Sequence, residues 1–414
     1  MTNTPWNVKT KTRRLRSGLL FLVVAATFIC VAGCFQSQFH EPAQAQSQPP
    51  KLIATADDGK LYQAGDFRVA VVRGTWYEMG RQYGELLADD IQAVATLTSV
   101  ALVQMAGAEQ AKQGRELVRS QIDLYPKRFR DMLDGMAEGS GLTIEEIAMA
   151  EHVVSILVAV QEGLFCSSIT TWGDYTTDGQ LVMGRNFDYP PMYRALAPHL
   201  CVVVFHPIDG SVPTAIFGYA GQICCVQAFN RDGLVLELNV ALGLPAPEQT
   251  VKIDRITMPL LVTQLAFDSS TMTQLDAGMK TMRSNAPLLN TVADTQSACT
   301  YELGTGHVVK RAIDRDGLNT ATNFVYDAFW QSRRDDSRRG NLQTLAEKHK
   351  GKVDFETMKK IIATPAGKGG AWSDWGTIYQ FVYEPATRRL SLRTCGPDAP
   401  ADWTELDLGW FFGE

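Results

Sequence analysis

A cysteine that opens one strand-like run, followed by a second run carrying an arginine and an aspartate, constrains this chain most. Cys166 begins the first run, and the turn-forming residues Asp178 and Gly179 separate it from the second. The second run ends with Arg185 and Asp188, three residues apart. A hairpin of the two runs would place both charges beside the cysteine. Since a fixed cation favours thiolate, the segment predicts an activated nucleophile, with a buried structural thiol and a surface ion pair as the alternatives.

The composition limits the partners of the chain. Its 414 residues are 45% hydrophobic and 20% charged, which suffices for one large core or two domains. The formal net charge is −6, and outside the N-terminus basic residues cluster only near residues 333–339, so nucleic acid is not an expected partner. The six histidines have no metal-binding spacing, and we expect neither a metal nor a cofactor.

The first 34 residues are predicted to be a lipoprotein signal peptide. Five basic residues lie between Lys9 and Arg16, and an apolar stretch follows over residues 18–33. The sequence Val-Ala-Gly-Cys that ends at Cys34 resembles a bacterial lipobox, in which the cysteine is lipidated. The resemblance implies an extracytoplasmic protein, in the periplasm or at the cell surface, anchored to the membrane through Cys34. A plain signal anchor, a cleaved soluble signal peptide and a twin-arginine signal remain open.

The rest of the chain divides into three parts by composition. Residues 35–60 are rich in Gln, Ser, Ala and Pro, which predicts a flexible tether. Residues 61–165 are predicted to be mostly helical, and Thr143 with Glu146 forms a capping-box pattern. Residues 166–414 contain short β-branched and aromatic runs, with helices predicted near 258–266, 271–283 and 341–349. This succession predicts an α+β fold.

Five cysteines belong neither to the export segment nor to the nucleophile candidate. An exported chain permits disulfides, but the spacing of these residues resembles no disulfide framework. Their pairing is left open: Cys201, Cys224, Cys225, Cys299 and Cys395.

The ordered residues around Cys166 resemble a known enzyme family. Cys-Ser-Ser at 166–168, Asp-Gly at 178–179 and Arg-Asn-x-Asp at 185–188 resemble the cysteine N-terminal-nucleophile (Ntn) hydrolases. Residues 73–84 resemble the helical N-terminal region of one branch, the acyl-coenzyme A:6-aminopenicillanate acyltransferase-like proteins, which are related to choloylglycine hydrolases and penicillin V acylases. The resemblance spans about residues 65–414. It implies a four-layer αββα sandwich for residues 166–414, preceded by a pro-segment at 61–165.

The family resemblance also implies a set of site residues. Cys166 would cleave the Phe165–Cys166 bond, after which its free α-amine would act as the base. Asp188 would orient that amine, and Arg185 would favour the thiolate. Two asparagines match oxyanion-hole positions and one arginine matches a Ser-x-Arg segment: Asn239, Asn323 and Arg339. Turn-capping asparagines and a solvated basic turn are the alternatives for these three.

These residues predict a hydrolase or acyltransferase acting on a linear amide of an N-acylated small molecule through a Cys166 acyl-enzyme. Because coenzyme A is not expected outside the cytoplasm, hydrolysis is favoured over transfer. The acyl group, the leaving amine and the oligomeric state stay open. One alternative is a non-catalytic envelope lipoprotein that keeps the fold as a binding module. A papain-like protease using His307 ranks last, since it gives no role to Arg185 and Asp188.

Overall fold

The computed structural model describes residues 50–154, 166–224, 226–332, 336–396 and 399–413. The strands, in chain order, are β1 (Lys51–Ala56), β2 (Gly59–Ala64), β3 (Phe67–Gly74), β4 (Ser167–Thr171), β5 (Val182–Asp188), β6 (Leu200–Pro207), β7 (Thr214–Tyr219), β8 (Gln227–Asn230), β9 (Val235–Val240), β10 (Leu288–Ala293), β11 (Ala298–Leu303), β12 (Val308–Arg311), β13 (Leu318–Ala321), β14 (Thr377–Glu384), β15 (Arg389–Thr394) and β16 (Thr404–Asp407).

The α-helices are α1 (Trp76–Leu86), α2 (Ala88–Ala106), α3 (Ala108–Asp123), α4 (Lys127–Ser140), α5 (Ile144–Glu151), α6 (Met258–Asp268), α7 (Met272–Thr281), α8 (Ser337–Lys348), α9 (Phe355–Ile362) and α10 (Leu408–Phe412). Short 3₁₀ helices occupy Gly173–Tyr175, Pro191–His199, Ala246–Gln249, Ala328–Trp330 and Ala366–Lys368.

The described strands form two sheets. One contains ten strands in the order β1-β2-β3-β6-β7-β8-β9-β10-β11-β12, and the other contains six in the order β13-β4-β5-β14-β15-β16. β3 pairs with β6 in parallel, whereas neighbouring strands elsewhere run antiparallel. Strands that come before Cys166 in the chain therefore share a sheet with strands that come after it.

The two sheets face each other, and helices cover their outer faces. Aromatic pairs such as Phe229 with Phe381 join the sheets, with ring centroids 5.4 Å apart. Helix α1 packs on β3 and β6, and α6 packs on β8 and β9. On the other side α9 approaches β5 so closely that a Cβ at Gly184 would lie 2.6 Å from Ile362. The layers are thus helix, sheet, sheet and helix, which confirms the predicted α+β sandwich.

The hairpin predicted around Cys166 is present. β4 and β5 pair antiparallel, with Ser167 opposite Asn186 and Ser168 opposite Arg185. The connection is longer than a tight turn, because a 3₁₀ helix at Gly173–Tyr175 precedes Gly179, whose φ is +80°.

The prediction of a tether as far as residue 60 is wrong. β1 begins at Lys51 and forms a hairpin with β2, and β3 follows before the first helix begins at Trp76. β1 is the edge of its sheet, and its first five residues are exposed. An edge strand of this kind lacks the apolar alternation that marks a strand in sequence, which explains the error.

The mostly helical character predicted for residues 61–165 is found from residue 76 onward in the described part of this range, after β2 and β3. Helices α1 to α5 fill most of residues 76–151. Thr143 and Glu146 form the predicted capping box, in which the threonine hydroxyl accepts from the Glu146 amide and the glutamate accepts from the Thr143 amide. The predicted helices near 258–266, 271–283 and 341–349 correspond to α6, α7 and α8.

Within the described ranges, no single helix is both long enough and apolar enough to cross a membrane. One pair of helices, Trp76–Leu86 and Ala88–Gln104, passes that test together although it is bent by 83° at its break. The predicted signal peptide and Cys34 lie outside the described residues.

Candidate active site

Cys166 lies immediately before β4 and is buried, with 2% of its surface exposed. Its thiol is 3.6 Å from the backbone carbonyl of Asp188, at the end of the neighbouring strand. Burial raises the pKa of the thiol, and the positive charge of Arg185 opposes that rise. The hairpin thus brings the cysteine together with both charged residues predicted from the sequence. Phe165 lies outside the described residues.

Arg185 is completely buried and points across the gap between the two sheets. Its Nη1 donates to the carbonyl of Val226 at 3.0 Å and to Oε1 of Gln227 at 3.1 Å. Its Nη2 donates to the carbonyl of Leu238 at 2.5 Å and to Oδ1 of Asn239 at 3.2 Å. Four acceptors from β8, β9 and the residue before β8 therefore fix the guanidinium. An arginine in an ion pair at the surface of the hairpin, the alternative considered from the sequence, would lack these buried contacts.

Glu237 is a site residue that the sequence analysis missed. It lies in β9, is fully buried, and has an oxygen 3.3 Å from Nη1 of Arg185. This carboxylate, together with the neighbouring groups, raises the pKa of Arg185 despite the opposing effect of burial. A charged residue between the apolar residues of β9 was the available signal, because Glu is rarely buried without a partner.

Asp188 sits at the end of β5 with one carboxylate oxygen satisfied. Its Oδ1 accepts from the hydroxyl of Thr377 at 2.7 Å. Its Oδ2 lies 3.7 Å from Nη1 of Arg338 and, among the described residues, accepts no hydrogen bond. Burial raises the pKa of this carboxyl to about 7, although Arg338 and Thr377 act in the opposite direction. Oδ2 of Asp188 can thus accept a hydrogen bond from one more donor.

Arg338, rather than the predicted Arg339, is the arginine that reaches this cluster. Its guanidinium contacts the carbonyl of Cys166 at 3.5 Å and Oδ1 of Asn323 at 3.3 Å, and it binds Asp336 through several hydrogen bonds. Asp336 also caps the N-terminus of α8 by accepting a hydrogen bond from the Arg338 amide, and this fixes where the helix begins.

Arg339 points elsewhere. It pairs with Asp314 and lies over the ring of Tyr326, 4.2 Å from its centroid. Both arginines lie in the first turn of α8, where consecutive residues project about 100° apart. Sequence matching alone cannot choose between two adjacent arginines, and the helix start decides which one faces Cys166.

The two predicted asparagines come from strands that lead to the same region. Asn239 in β9 gives its Oδ1 to Arg185, while its Nδ2 is buried and has no hydrogen-bond partner among the described residues. Asn323 follows β13, donates to the carbonyl of Val240 at 2.9 Å and accepts from Arg338. Asn239 therefore has an unused amide donor, which is what an oxyanion hole requires.

An aromatic stack lies near the cysteine. Phe187 lies between Tyr189 and Tyr379, with centroid distances of 4.7 and 4.4 Å and nearly parallel rings. The hydroxyls of Tyr189 and Tyr193 donate to the carbonyls of Val154 and Val153, the last described residues before Cys166.

The other candidate groups do not join this site. The described cysteines are all free and buried: Cys166, Cys201, Cys224, Cys299 and Cys395. Cys225 lies outside the described residues. His307 is 60% exposed and pairs with Glu248 at 2.6 Å, so it does not form a dyad with the buried thiol. Among the described residues, no group of three or more His, Cys, Asp or Glu side chains could hold a metal ion.

Comparisons with known sequences are sparse. No family model matches the chain. An alignment over 193 positions is 23% identical to an uncharacterized protein of Archaeoglobus fulgidus and covers 41% of this chain and 31% of that protein. The chain therefore spans about a third of the length of this curated relative.

Three solved structures are similar to part of the chain. An ortholog of N-acylethanolamine-hydrolyzing acid amidase from Caenorhabditis elegans is 18% identical, with a TM-score of 0.42 over 53% of this chain and 93% of its own. Penicillin V acylase from Agrobacterium tumefaciens is 11% identical, with a TM-score of 0.38 over 59% and 86%. A mutant of conjugated bile acid hydrolase from Clostridium perfringens is 11% identical, with a TM-score of 0.41 over 59% and 93%.

Proposed function

We propose that this chain is a cysteine Ntn hydrolase that cleaves a linear amide bond in an N-acylated small molecule. The observation that carries the proposal is the joint placement of a buried thiol, a fixed guanidinium and a carboxylate with one unsatisfied oxygen: Cys166, Arg185 and Asp188. The placement of these three residues is observed in this chain itself and does not depend on the solved structures above.

The first step of the proposed chemistry is self-cleavage before Cys166. The thiol sulfur adds to the carbonyl carbon of Phe165, the carbon–nitrogen bond breaks, and the former amide nitrogen takes up the thiol proton. Water then hydrolyses the resulting thioester, which releases the Phe165 carboxylate and restores the thiol. The new α-amine, with an ordinary pKa near ~7.7, can exchange a proton at neutral pH. The unsatisfied Oδ2 of Asp188 is the acceptor available to its ammonium form.

Turnover then uses the same atoms. The α-amine accepts the thiol proton while the sulfur attacks the substrate carbonyl, and the unused Nδ2 of Asn239 is the candidate donor to the oxyanion. Collapse of the intermediate returns that proton to the leaving amine and leaves an acyl thioester on Cys166. Water, activated by the amine, releases the carboxylic acid. Arg185 favours the thiolate through its fixed positive charge.

An amine in place of water in the last step would give acyl transfer from the same acyl-enzyme. The proposal favours water, since the predicted lipid anchor at Cys34 would place the site outside the cytoplasm, away from coenzyme A. Metabolic labelling with a fatty-acid probe tests the anchor: Cys34→Ser should remove the label, and a labelled Cys34→Ser protein would exclude it.

The test of the activity uses a panel of linear amides containing N-acyl amino acids, N-acylethanolamines, penicillin V and conjugated bile acids. Release of the free amine should be observed with the parent and lost in Cys166→Ala. Cys299→Ala is the matched control, because Cys299 is also buried but lies in β11 and should leave turnover unchanged. Equal amidase activity in the Cys166→Ala protein would exclude the proposal.

A further inference from the structure

One turn of the C-terminal part is held by side chains that precede Cys166. This turn, Gly221 to Cys224, connects β7 to β8. The hydroxyl of Tyr83, from α1, accepts from the amide of Gly221 at 2.7 Å and donates to the carbonyl of Gln222 at 3.3 Å. If the Phe165–Cys166 bond is cut, these contacts will join two separate chains.

Glu151 makes the second set of contacts with this turn. It ends α5 and is 1% exposed. Its carboxylate accepts from the amide of Ile223 at 2.6 Å and from the amide of Cys224 at 3.0 and 3.1 Å. A carboxylate that binds consecutive backbone amides fixes the backbone between them, because charge-assisted bonds are short and strong.

The turn also fits tightly against α5. Gly221 has a φ of +91°, and a Cβ at this position would lie 2.6 Å from the Cβ of Ala150. A shift of the turn towards the helix is therefore blocked, while Glu151 and Tyr83 resist a shift away from it.

The position of the turn matters for Arg185. Val226, two residues after Cys224, gives its carbonyl to Nη1 of Arg185 at 3.0 Å. Gln227 accepts from the same Nη1 at 3.1 Å and also accepts from the hydroxyl of Tyr379 at 3.0 Å. Two of the four hydrogen bonds that orient the guanidinium are thus made by Val226 and Gln227, which follow the turn closely in the chain.

We infer that Glu151 is a positioning residue for the reactive thiol: by fixing the 221–224 turn, it holds Val226 and Gln227 where they orient Arg185 toward Cys166. The inference rests on the proposed function, because it assigns to the N-terminal part a direct role in the site. That part would contribute to the reactivity of the thiol after processing as well as to the fold.

The surroundings of Glu151 define which substitution is informative. The phenol of Tyr125 lies 3.3 Å from its carboxylate, and His152 and the Cys224 thiol contact that phenol. Burial lowers the pKa of His152 to about 4 and raises the pKa of Tyr125 and of the Cys224 thiol, so these neighbours are neutral. Burial also raises the pKa of Glu151 to about 7. Glu151→Gln keeps the size but turns an NH₂ group towards a backbone donor.

The experiment measures the pH midpoint of the Cys166 thiol by ¹³Cβ NMR of cysteine-labelled full chain, with the signal assigned by its loss in Cys166→Ser. Parent, Glu151→Gln and the control Glu145→Gln are compared in the same processing state, read from intact mass. Glu145 is in the same helix, but its side chain is 62% exposed. We expect Glu151→Gln to raise the midpoint by at least about 0.5 units, a fraction of the 1–3 units produced by a close opposite charge. Glu145→Gln should match the parent.

An unchanged midpoint in folded Glu151→Gln would overturn the inference and leave Glu151 a purely structural residue. Should that variant not fold, Tyr83→Phe is used instead. It removes the hydroxyl that contacts the same turn and should also raise the midpoint. The titration needs no turnover. A Cys166→Ala protein that retained amidase activity would therefore exclude the proposed function while the midpoint still decided the role of Glu151.

Discussion

Nη1 of Arg185 lies 3.3 Å from Oε1 of Glu237, and both side chains are completely shielded from solvent. Removing two charges from water is costly, and the pair is maintained by four further hydrogen bonds to the guanidinium. Arg185 comes from β5 in the six-stranded sheet, next to the start of β4 where Cys166 lies, and Glu237 comes from β9 in the ten-stranded sheet. This pair connects the two sheets at the site.

Glu237→Gln is predicted to destabilise the fold strongly. The substitution leaves the buried Arg185 charge without its counterion, and breaking one partner of a buried pair typically costs about 3–5 kcal/mol. Glu356→Gln is the control, because Glu356 is 58% exposed and pairs with Lys359 at the surface, where loss of a pair costs about 0–1 kcal/mol. Urea unfolding measures both. Equal losses in the two variants would mean that the Arg185–Glu237 pair does not hold the sheets together.

Asp188 is predicted to make the unprocessed chain less stable as the pH rises. Burial raises its pKa from 3.8 to about 7, so between these values the folded chain holds a proton that the unfolded chain has released. Stability therefore falls with increasing pH in this window, by at most about 1.4 kcal/mol per pH unit. Below about pH 4 both states are protonated and the penalty disappears.

The pH prediction is checked by urea unfolding of Cys166→Ala with and without Asp188→Asn at pH 5 to 8. From pH 5 to pH 7, the free energy of unfolding of the Asp188→Asn protein should rise by about 2 kcal/mol relative to that of the protein that keeps Asp188. Titration of the other groups is common to both proteins and cancels. A difference that stays constant with pH would show that Asp188 keeps an ordinary pKa in the folded chain.

Arg338 and Arg339 should differ in their effect on activity. Arg338→Met removes the contacts with the Cys166 carbonyl, Asn323 and Asp188, and we expect a loss of at least about tenfold in kcat/KM, equivalent to about 1.4 kcal/mol. Arg339→Met removes the same charge one residue away and should retain parental kcat/KM in the folded protein. Steady-state amide hydrolysis measures both, and the reverse ranking would favour the residue matched from the sequence.

The two fragments produced by cleavage at Phe165–Cys166 should stay together. β3 pairs with β6 in parallel from Arg68 opposite Cys201 to Gly74 opposite Pro207. Separation would expose this edge and the core beneath it. Native size-exclusion chromatography should give one peak at the volume of the uncut Cys166→Ala chain, with two bands on a denaturing gel. An N-terminal fragment that elutes alone would contradict the structure of this sheet.

Local patterns in the sequence predicted the elements with strong signals. The capping box at Thr143 and the hairpin containing Arg185 follow from residues close in sequence. β1 was missed because an exposed edge strand has no distinctive pattern. The ten-stranded sheet depends on the pairing of β3 with β6, whose residues lie more than 100 positions apart in the chain. Such pairing leaves no local trace.

The site shows the same division. Cys166, Arg185 and Asp188 were predicted from one hairpin, and the structure places them together. Glu237 contacts Arg185 and Thr377 contacts Asp188 from strands distant in sequence, and no spacing rule predicts those contacts. The inferred role of Glu151 likewise depends on a contact with a turn distant in sequence. Choosing Arg338 over Arg339 required knowing where α8 begins. The roles of Asn239 and Asn323 as oxyanion donors remain predictions.

The most direct test of the central claim is the intact mass, under denaturing conditions, of the chain made without its first 34 residues, beside its Cys166→Ala variant. Self-processing predicts two fragments in the parent that meet at Phe165 and Cys166, and one uncut chain in the variant. A single uncut chain in both proteins, or the same cut in both, would contradict a thiol that becomes its own N-terminal nucleophile.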